Sequence, residues 1–508
     1  MINRYLSLNE FEAIIFGNEK VELSNDVTAR VTDSFEFLKE FSSNKIIYGV
    51  NTGFGPMAQY RVPDEDRVQL QYNLIRSHAS GTGKPLSAAF VKSAMLARLN
   101  TLALGNSGVH PSAVNLMKEL INRDITPLIF EHGGVGASGD LVQLAHLALV
   151  LIGEGEVFYK GERRNTSEVF AIEGLKPITV AIREGLALMN GTSVMTGIGV
   201  VNLYNAKKLL DWSVKFSSAI NEVVRAYDDH MSSELNNTKL HKGQQEVAGR
   251  MRSHIADSKL TRKREEHLYS GENTETVFKE KVQEYYSLRC IPQILGPVLD
   301  TINNVAEVLE NEINSANDNP IVDVKTKQVY HGGNFHGDYI SLEMDKLKIV
   351  VAKLSMLAER QLNYLMNARI NELMPPFTNM GRLGFNFGLQ GVQFTAVSTT
   401  AENQTLSNPM YVHSIPNNND NQDIVSMGTN AAVITAKVIE NAFEVLAVEL
   451  MAIIQAIDLL GQKDEVSSAT RKIYDEARAI LPAFTEDMAL YPYVQRLKEY
   501  LMDSKTNN

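Results

Sequence analysis

Two segments in the second half of the chain limit most strongly what it can fold into. Asp345 to Leu373 and Ala431 to Leu460 contain neither glycine nor proline, and both repeat apolar residues every three to four positions. Each predicts a helix of about 40 Å, at a rise of about 1.5 Å per residue. Because a helix of this kind must bury its apolar face along its whole length, it needs long helical neighbours.

The same periodicity recurs earlier in the chain, at residues 90–104, 140–152, 198–228 and 294–313. The predicted class is therefore mainly α, with a central bundle of long helices and an N-terminal loop-rich domain. We expect three parts, whose boundaries are soft because no composition-biased linker separates them: residues 1–200, 201–470 and a short C-terminal helical segment, 471–508.

Charge argues against nucleic acid and membrane partners. The formal net charge is -11, which disfavours a surface that follows phosphates. The short basic run "TRKREE" at 261–266 also carries acids and indicates a solvated face. The most apolar long segment, Ala431 to Leu460, includes Lys437, Glu440 and Glu449, which disfavours a membrane span.

Cysteine usage and the N-terminus favour a cytoplasmic protein. Cys290 is the one cysteine, so neither an internal disulfide framework nor a CxxC zinc site can form. The first residues lack a long apolar stretch with a small-residue cleavage site, so we expect no secretion signal. Ser7 and Glu10 instead predict a capping box at the start of a short helix.

A glycine-rich loop, "EHGGVGASGDLVQLAHLAL" at 131–149, offers several interpretations. Gly134, Gly136 and Gly139 fit the dinucleotide-binding pattern G-x-G-x-x-G, but that pattern needs a βαβ unit, and the long helices elsewhere disfavour one. A helix N-terminus capped by Ser138 and Asp140 would also explain the loop. A serine-hydrolase elbow fails because Asp140 occupies the position of its last glycine.

Another interpretation is chemical. If the Gly139 nitrogen attacked the Ala137 carbonyl carbon and Ser138 lost water, the tripeptide Ala137-Ser138-Gly139 would become an electrophile. Glycine suits the attacking position because it has no Cβ to obstruct a close approach.

The loop and several other polar loops together resemble one family. "GGVGASGDLVQLAHLAL" is similar to the signature of the aromatic amino acid and histidine ammonia-lyases, and the chain most resembles bacterial tyrosine ammonia-lyases. The resemblance covers nearly the whole chain in order, through "YGVNTGFGP" (48–56), "LQYNLIRSH" (70–78), "NGTS" (190–193), "YYSLRCIPQILG" (285–296), "NDNP" (317–320), "GGNFHGD" (332–338) and "NQDIVSMG" (421–428). It implies that Ala137-Ser138-Gly139, in the N-terminal domain, forms 4-methylideneimidazol-5-one (MIO) autocatalytically, without metal or nucleotide.

The resemblance also implies roles for single residues. Tyr48 matches the tyrosine that removes the β-proton of the substrate; an unperturbed tyrosine keeps its own proton at neutral pH, so its surroundings must activate it. Arg289 matches the arginine that binds the substrate carboxylate, a task suited to a planar guanidinium. Without the resemblance, Tyr48 would be taken for a packed loop aromatic and Arg289 for a surface ion pair. The remaining matches are Asn190 and Tyr286 around the prosthetic group, and Gly55 and Phe335 at the substrate.

Two further expectations concern metals and subunits. His331 and His336 suggest a metal site, but "HGGNFH" offers no third ligand at a recognisable spacing, so we expect none. The family assembles as a homotetramer that shares active sites between subunits, and the apolar faces of the two long helices need partners of some kind.

Substrate choice rests on motifs that disagree. Ser77-His78 is the pair of histidine-type enzymes, whereas the histidine-type motif N-Q-E-D-H-V-S-M has a glutamate where this chain has Gln422. An uncharged amide removes the strongest reason to bind imidazole. A polar group at Ser77 or His78 without that acid favours a phenol, because a buried polar group left unpaired costs about 1 to 3 kcal/mol. The expected reaction is therefore deamination of L-tyrosine to trans-4-coumarate.

Several alternatives stay open at this point. Histidine ammonia-lyase is the next candidate, followed by phenylalanine ammonia-lyase and tyrosine aminomutase, which shares the catalytic residues named above. Outside this class stand a nicotinamide-dependent dehydrogenase and an inactive helical scaffold.

Overall fold

The structure is a computed structural model that describes residues 2–3, 5–271, 274–278 and 281–503. Helix covers 59% of the chain, which confirms the predicted mainly α class. The α-helices are α1 (Leu8–Phe16), α2 (Asn25–Phe41), α3 (Arg67–His78), α4 (Ala88–Ala103), α5 (Pro111–Asn122), α6 (Leu141–Leu151), α7 (Thr166–Glu173), α8 (Glu184–Met189), α9 (Ser193–Val223), α10 (Ser233–Asn236), α11 (Lys242–His254), α12 (Arg264–His267), α13 (Tyr286–Arg289), α14 (Ile291–Ile313), α15 (Asp338–Met366), α16 (Ala368–Asn371), α17 (Gln390–Leu406), α18 (Gly428–Leu459), α19 (Ser468–Ile480) and α20 (Tyr491–Asp503). The strands are β1 (Thr82–Pro85), β2 (Thr126–Pro127), β3 (Phe130–His132), β4 (Glu156–Tyr159), β5 (Glu162–Asn165), β6 (Ile321–Asp323) and β7 (Gln328–Tyr330).

The long periodic segments are helices, as predicted, but one of them has shifted ends. Helix α15 begins at Asp338 instead of Asp345 and ends at Met366 instead of Leu373. After Met366 the backbone of Asn367 is extended, and its side chain accepts a hydrogen bond from the Arg369 amide, which starts the short helix α16. A residue that caps a new helix ends the previous one, although the apolar pattern continues across it.

The chain divides into two compact units, and the divisions within the long helices fall in α9, α14, α15 and α18. The three-part division at residues 200 and 470 stays a prediction. None of the helices in the described ranges combines the length and the apolar character that crossing a membrane requires.

The first unit comprises Met1–Tyr204, Val305–Asp345 and Pro409–Ala436. In it α3, α6 and α8 pack against one another, and α4 packs on α1, α2 and α5. Its described strands form small antiparallel sheets, in which β1 pairs with β3, β4 lies between β2 and β5, and β6 pairs with β7. The strands on either side of α6 are not parallel partners, so the dinucleotide-binding interpretation is wrong. The predicted capping box of Ser7 and Glu10 is present at α1.

The second unit comprises Asn205–Asn304, Lys346–Asn408 and Lys437–Asn508. Buried polar side chains link its helices. The Gln361 amide on α15 donates to Ser217 Oγ on α9 over 3.0 Å. Asn403 on α17 donates to Val438 O on α18 over 3.1 Å and accepts from Asn441 Nδ2 over 3.0 Å. Because a buried amide is costly unless paired, these bonds restrict how the helices can pack.

Candidate active site

The tripeptide Ala137-Ser138-Gly139 lies just before α6, in the first unit, with Ala137 and Gly139 buried. Gly139 has φ +70°, a conformation that side-chain-bearing residues rarely adopt. A Cβ added there would lie 2.0 Å from the carbonyl oxygen of Gly191. The close approach of these two backbone segments therefore requires glycine at position 139.

Segments distant in sequence hold the loop that contains the tripeptide. The Gly136 carbonyl accepts hydrogen bonds from Ser426 Oγ over 2.9 Å and from the Gly337 amide over 3.1 Å. The Met427 amide donates to Val135 O over 3.0 Å. The backbone on the N-terminal side of the tripeptide is thus held by the starts of α15 and α18.

A buried carboxylate holds the C-terminal side. Asp140 accepts hydrogen bonds from the Val194 and Met195 amides, over 2.8 and 2.9 Å, and from the Thr429 hydroxyl. Burial raises the pKa of Asp140 to about 6, against the opposing effect of these bonds. The two amides belong to the first turn of α9, where a negative charge is favoured by unpaired N–H groups.

Two amide side chains contact Ser138 directly. Asn190 Nδ2 donates to Ser138 O over 3.2 Å, and Gln422 Nε2 donates to Ser138 Oγ over 2.8 Å. Asn190 Oδ1 is buried and has no hydrogen-bond partner within the described residues. An unpaired buried acceptor beside a tripeptide with a glycine-only close approach fits a site where the backbone is remodelled, as MIO formation requires.

The predicted catalytic tyrosine lies on a separate loop. The Gly55 amide donates to Tyr48 Oη over 3.0 Å, and the Phe54 ring meets the Tyr48 ring edge to face. Gly55 has φ +52°, and a Cβ there would lie 2.8 Å from Asn418 Nδ2. The Gly55 amide therefore fixes the position of the Tyr48 phenol oxygen.

Ser77 and His78 end helix α3. His78 Nδ1 lies 3.0 Å from Leu74 O and 3.0 Å from Ser77 Oγ, and Ser77 Oγ donates to Leu74 O over 3.1 Å. Because a carbonyl oxygen can only accept, we assign the proton of the neutral ring to Nδ1, which leaves Nε2 as an acceptor. Phe335, the predicted pocket residue, is half-buried in the loop between β7 and α15.

Tyr286 and Arg289 belong to the second unit, on α13. Arg289 Nε donates to Glu284 O over 2.8 Å, and its guanidinium lies 4.6 Å from the centre of the Tyr286 ring. The Tyr286 side chain is 70% exposed. Both residues line a cavity of about 720 Å³ together with Tyr285, Arg360 and Tyr364. An arginine and several aromatic side chains around one cavity suit a ligand with a carboxylate and a ring.

His331 and His336, considered as metal ligands from the sequence, lie in the loop between β7 and α15. His336 Nδ1 lies 3.5 Å from Asp338 Oδ2, and its Nε2 lies 3.3 Å from Ile424 O. Across the described ranges, no group of three or more His, Cys, Asp or Glu side chains could hold a metal ion.

Some of the residues that hold the tripeptide were not predicted from the sequence. Gly191, Gly337 and Ser426 lie inside recognised motifs, but nothing in a linear motif shows that they touch residues 136–139. Arg98 was missed as well, although a signal was available. It is the one charged residue in the mostly apolar segment "AMLARLNTLAL", and a charged side chain is rarely buried unless it is paired.

Comparisons with known proteins identify the family of the chain. A family described as aromatic amino acid lyase matches residues 6–479. The chain is 38% identical to a histidine ammonia-lyase from Halalkalibacterium halodurans, over 98% of this chain and 95% of that enzyme. It is 37% identical to a tyrosine 2,3-aminomutase from Chondromyces crocatus, over 98% and 94%. The crystal structure of a tyrosine aminomutase from Streptomyces globisporus superposes with a TM-score of 0.94 at 34% identity, over 98% and 95%. The chain therefore belongs to the aromatic amino acid lyase family, as its motifs predicted, a family that forms MIO autocatalytically from an Ala-Ser-Gly segment and needs neither metal nor nucleotide.

Proposed function

We propose that this protein is a tyrosine ammonia-lyase that converts L-tyrosine to trans-4-coumarate and ammonia. The observation that carries the choice of substrate is the environment of His78. Its Nδ1 is bound to Leu74 O, so the neutral ring offers Nε2 as an acceptor for a phenol hydroxyl. Gln422 supplies no negative charge that would favour an imidazole.

The proposed chemistry divides between an electrophile and a base. MIO, formed from Ala137-Ser138-Gly139, supplies the electrophile that turns the amino group into a leaving group. Tyr48 accepts the β-proton on its phenolate oxygen and becomes a neutral phenol. The Gly55 amide, which already donates to Tyr48 Oη, stabilises the phenolate before the transfer. Asn190 holds the carbonyl of residue 138 and so orients the tripeptide.

Substrate binding in this proposal rests on the matches of single residues to the family. Arg289 binds the carboxylate, for which its guanidinium offers two parallel N–H groups. Tyr286 lies over that guanidinium and contributes a hydroxyl at an exposed position. Phe335 lines the pocket for the aromatic ring. Gln422, which contacts Ser138 Oγ in the unreacted tripeptide, faces the substrate once that oxygen has left as water.

Two other functions have specific support from the relatives. The histidine ammonia-lyase from Halalkalibacterium halodurans is 38% identical to this chain, and Ser77-His78 is the histidine-type pair. Tyrosine 2,3-aminomutases are as similar, and the crystal structures of such enzymes share the fold over 98% of the chain. Phenylalanine is the least favoured substrate, because a bare phenyl ring would leave His78 unpaired.

One experiment separates these functions. Purified protein is incubated with tyrosine, histidine and phenylalanine in parallel, and coumarate, urocanate and cinnamate are followed by ultraviolet absorbance. We expect coumarate from tyrosine to form fastest. Chromatography of the tyrosine reaction then tests for a β-amino acid, whose predominance would show an aminomutase instead. Urocanate as the leading product would show that Ser77-His78 outweighs Gln422.

The role of His78 has its own test. His78→Phe removes the acceptor, so we expect the ratio of kcat/KM for tyrosine over phenylalanine to fall by about 10² or more. Ser77→Ala is the matched control, because it removes the neighbouring hydroxyl and leaves the imidazole bonded to Leu74. If His78→Phe leaves the ratio unchanged, His78 does not bind the phenol. A fall with Ser77→Ala alone would transfer that role to Ser77.

We also propose a cytoplasmic homotetramer with active sites shared between subunits. The exposure of Tyr286, a predicted active-site residue, supports a site completed by another chain. Co-refolding of inactive Tyr48→Phe and Arg289→Met chains tests this idea. If sites combine residues from different subunits, mixed oligomers regain part of the activity, whereas sites built within one chain give none.

A further inference from the structure

Arg98 is a buried cation outside the residues assigned above. It lies in α4 and is fully buried. Its Nη2 donates to the carbonyl oxygens of Ala187 and Asn190, the latter over 2.9 Å, and its Nη1 lies 3.3 Å from Asn317 Oδ1. Burial lowers the pKa of Arg98 to about 10, so the side chain still carries its charge at neutral pH. Burial of a charge has a large desolvation free energy, which its hydrogen bonds must offset.

The turn that Arg98 holds is the one that contacts the tripeptide. Asn190 Nδ2 donates to Ser138 O, and Gly191 O accepts from the Asp140 amide over 2.8 Å. The same Gly191 oxygen is the atom that would lie 2.0 Å from a Cβ on Gly139. Gly191 also lies close to the guanidinium, since a Cβ added there would be 2.3 Å from Arg98 Nη1. Arg98 and the tripeptide are thus in contact with the same two residues.

We propose that Arg98 is a positioning residue for MIO formation, which holds the Asn190-Gly191 turn in the place that compresses Ser138-Gly139 for ring closure. In that reaction the Gly139 nitrogen forms a bond with the Ala137 carbonyl carbon. The Ala137 oxygen then leaves as water with the amide hydrogens of Ser138 and Gly139, and Ser138 loses a second water from its hydroxyl and its α-hydrogen. No external oxidant is needed. The inference rests on the proposed function only in requiring this prosthetic group.

Arg183 offers a matched control within the same unit. It is equally buried, and its guanidinium forms an ion pair with Asp318 at 3.0 Å. Its other hydrogen bonds run to Ser107 O and Asn319 O over 2.7 and 2.9 Å. In the described residues, the Nε atoms of Arg98 and Arg183 both lack a partner. Replacing Arg183 therefore removes a comparable buried cation without removing a contact to Asn190.

The experiment measures ring closure itself and not deamination. Full-length wild type, Arg98→Met, Arg98→Lys, Arg183→Met and Arg183→Lys are synthesised in a cell-free system and quenched at intervals. Mass spectrometry of the peptide that contains residues 137–139 gives the rate at which two water molecules are lost, and Tm reports folding. We expect Arg98→Met to slow this loss on the order of 100-fold, the effect of misplacing reacting groups by about 1 Å. Arg98→Lys, which keeps a cationic donor, should be intermediate, and Arg183→Met should mature like the wild type.

Several outcomes would overturn the proposal. One is that Arg98→Met loses the two waters at the wild-type rate. Another is that Arg183→Met loses them as slowly as Arg98→Met at the same Tm, which would indicate a general effect of lost stability. If Arg98→Met does not fold, Arg98→Lys serves as the test. Loss of two waters from Arg98→Lys at the wild-type rate would exclude the role. An unmodified wild-type chain would refute both MIO formation and the role of Arg98. A wild-type chain that matures but does not deaminate tyrosine would refute only the proposed function.

Discussion

The prosthetic segment, residues 135–140, and the base loop, residues 48–55, are held in different ways. The partners of the prosthetic segment come from distant parts of the chain, around residues 191, 194, 337 and 426. The base loop is held mainly by its own neighbourhood. Gly55 donates to Tyr48, Gly49 donates to Thr52 Oγ1 over 3.1 Å, and Asn51 Nδ2 donates to Lys45 O over 2.7 Å.

The difference shows which parts of the reaction depend on complete folding. The geometry of the prosthetic segment exists only after long-range contacts have formed, so MIO formation reports the assembly of those contacts. The base loop can change without disturbing those contacts. Variants should therefore fall into two groups: those that lose the mass signature of MIO together with activity, and those that lose activity alone.

The largest expected effect comes from Ser138→Ala. Without the hydroxyl no second water can leave, so no methylidene forms and deamination should fall to the uncatalysed background. The tripeptide-containing peptide should then lack the full loss of two waters, as read by mass spectrometry. The backbone contacts of Gly136 and Gly139 do not involve this hydroxyl, so Tm should stay near that of the wild type. Activity close to wild type in Ser138→Ala would remove MIO from the mechanism.

Tyr48→Phe should impair the base loop and leave the prosthetic segment intact. Loss of the proposed general base should lower kcat by about 10² to 10⁴. Since Tyr48 makes no hydrogen bond to residues 135–140 in the described structure, the loss of two waters should remain complete. The measurements are kcat from coumarate absorbance and the mass of the same peptide. Incomplete MIO formation in this variant would show that the two regions are not independent.

The sequence predicted these two regions unequally. Apolar periodicity located α9, α14 and α18 because burial of a helical face leaves a local trace in the sequence. The family motifs supplied the tripeptide and Tyr48. What could not be predicted is the approach of Gly139 to Gly191, because a contact between distant segments leaves no periodic trace. The end of α15 at Met366 was missed for a related reason: the cap at Asn367 interrupts the helix while the apolar pattern continues.

Gly55→Ala should have a smaller effect on the base loop. The variant residue must adopt φ +52° and avoid Asn418, so the amide of residue 55 should shift away from Tyr48 Oη. Loss of one hydrogen bond to a charged oxygen, worth about 1.5 kcal/mol, corresponds to about a tenfold fall in kcat. Steady-state kinetics with tyrosine measure it. Gly174→Ala is a control with a similar φ of +65° in open space, and an equal fall there would point to a general loss of stability.

Glu184→Gln should have the smallest effect on catalysis and should change mainly the stability of the fold. Glu184 starts α8, the helix that ends next to Asn190, and its carboxylate accepts from the His110 and Ala181 amides, each over 2.7 Å. Burial raises the pKa of Glu184 to about 7. Between about pH 4.5 and 7 the folded chain thus binds more protons at this site than the unfolded chain, so stability falls as the pH rises, by up to about 3 kcal/mol.

The Gln variant cannot titrate, so the Tm of the wild type minus that of the variant should be larger near pH 5 than near pH 8. Thermal unfolding at both values measures this difference, and the mass of the tripeptide-containing peptide should show complete MIO formation in both proteins. A Tm difference independent of pH would mean that Glu184 titrates alike in the folded and unfolded chain. Incomplete MIO formation in the variant would instead extend the region that controls ring closure beyond the Asn190-Gly191 turn, to the opposite end of α8.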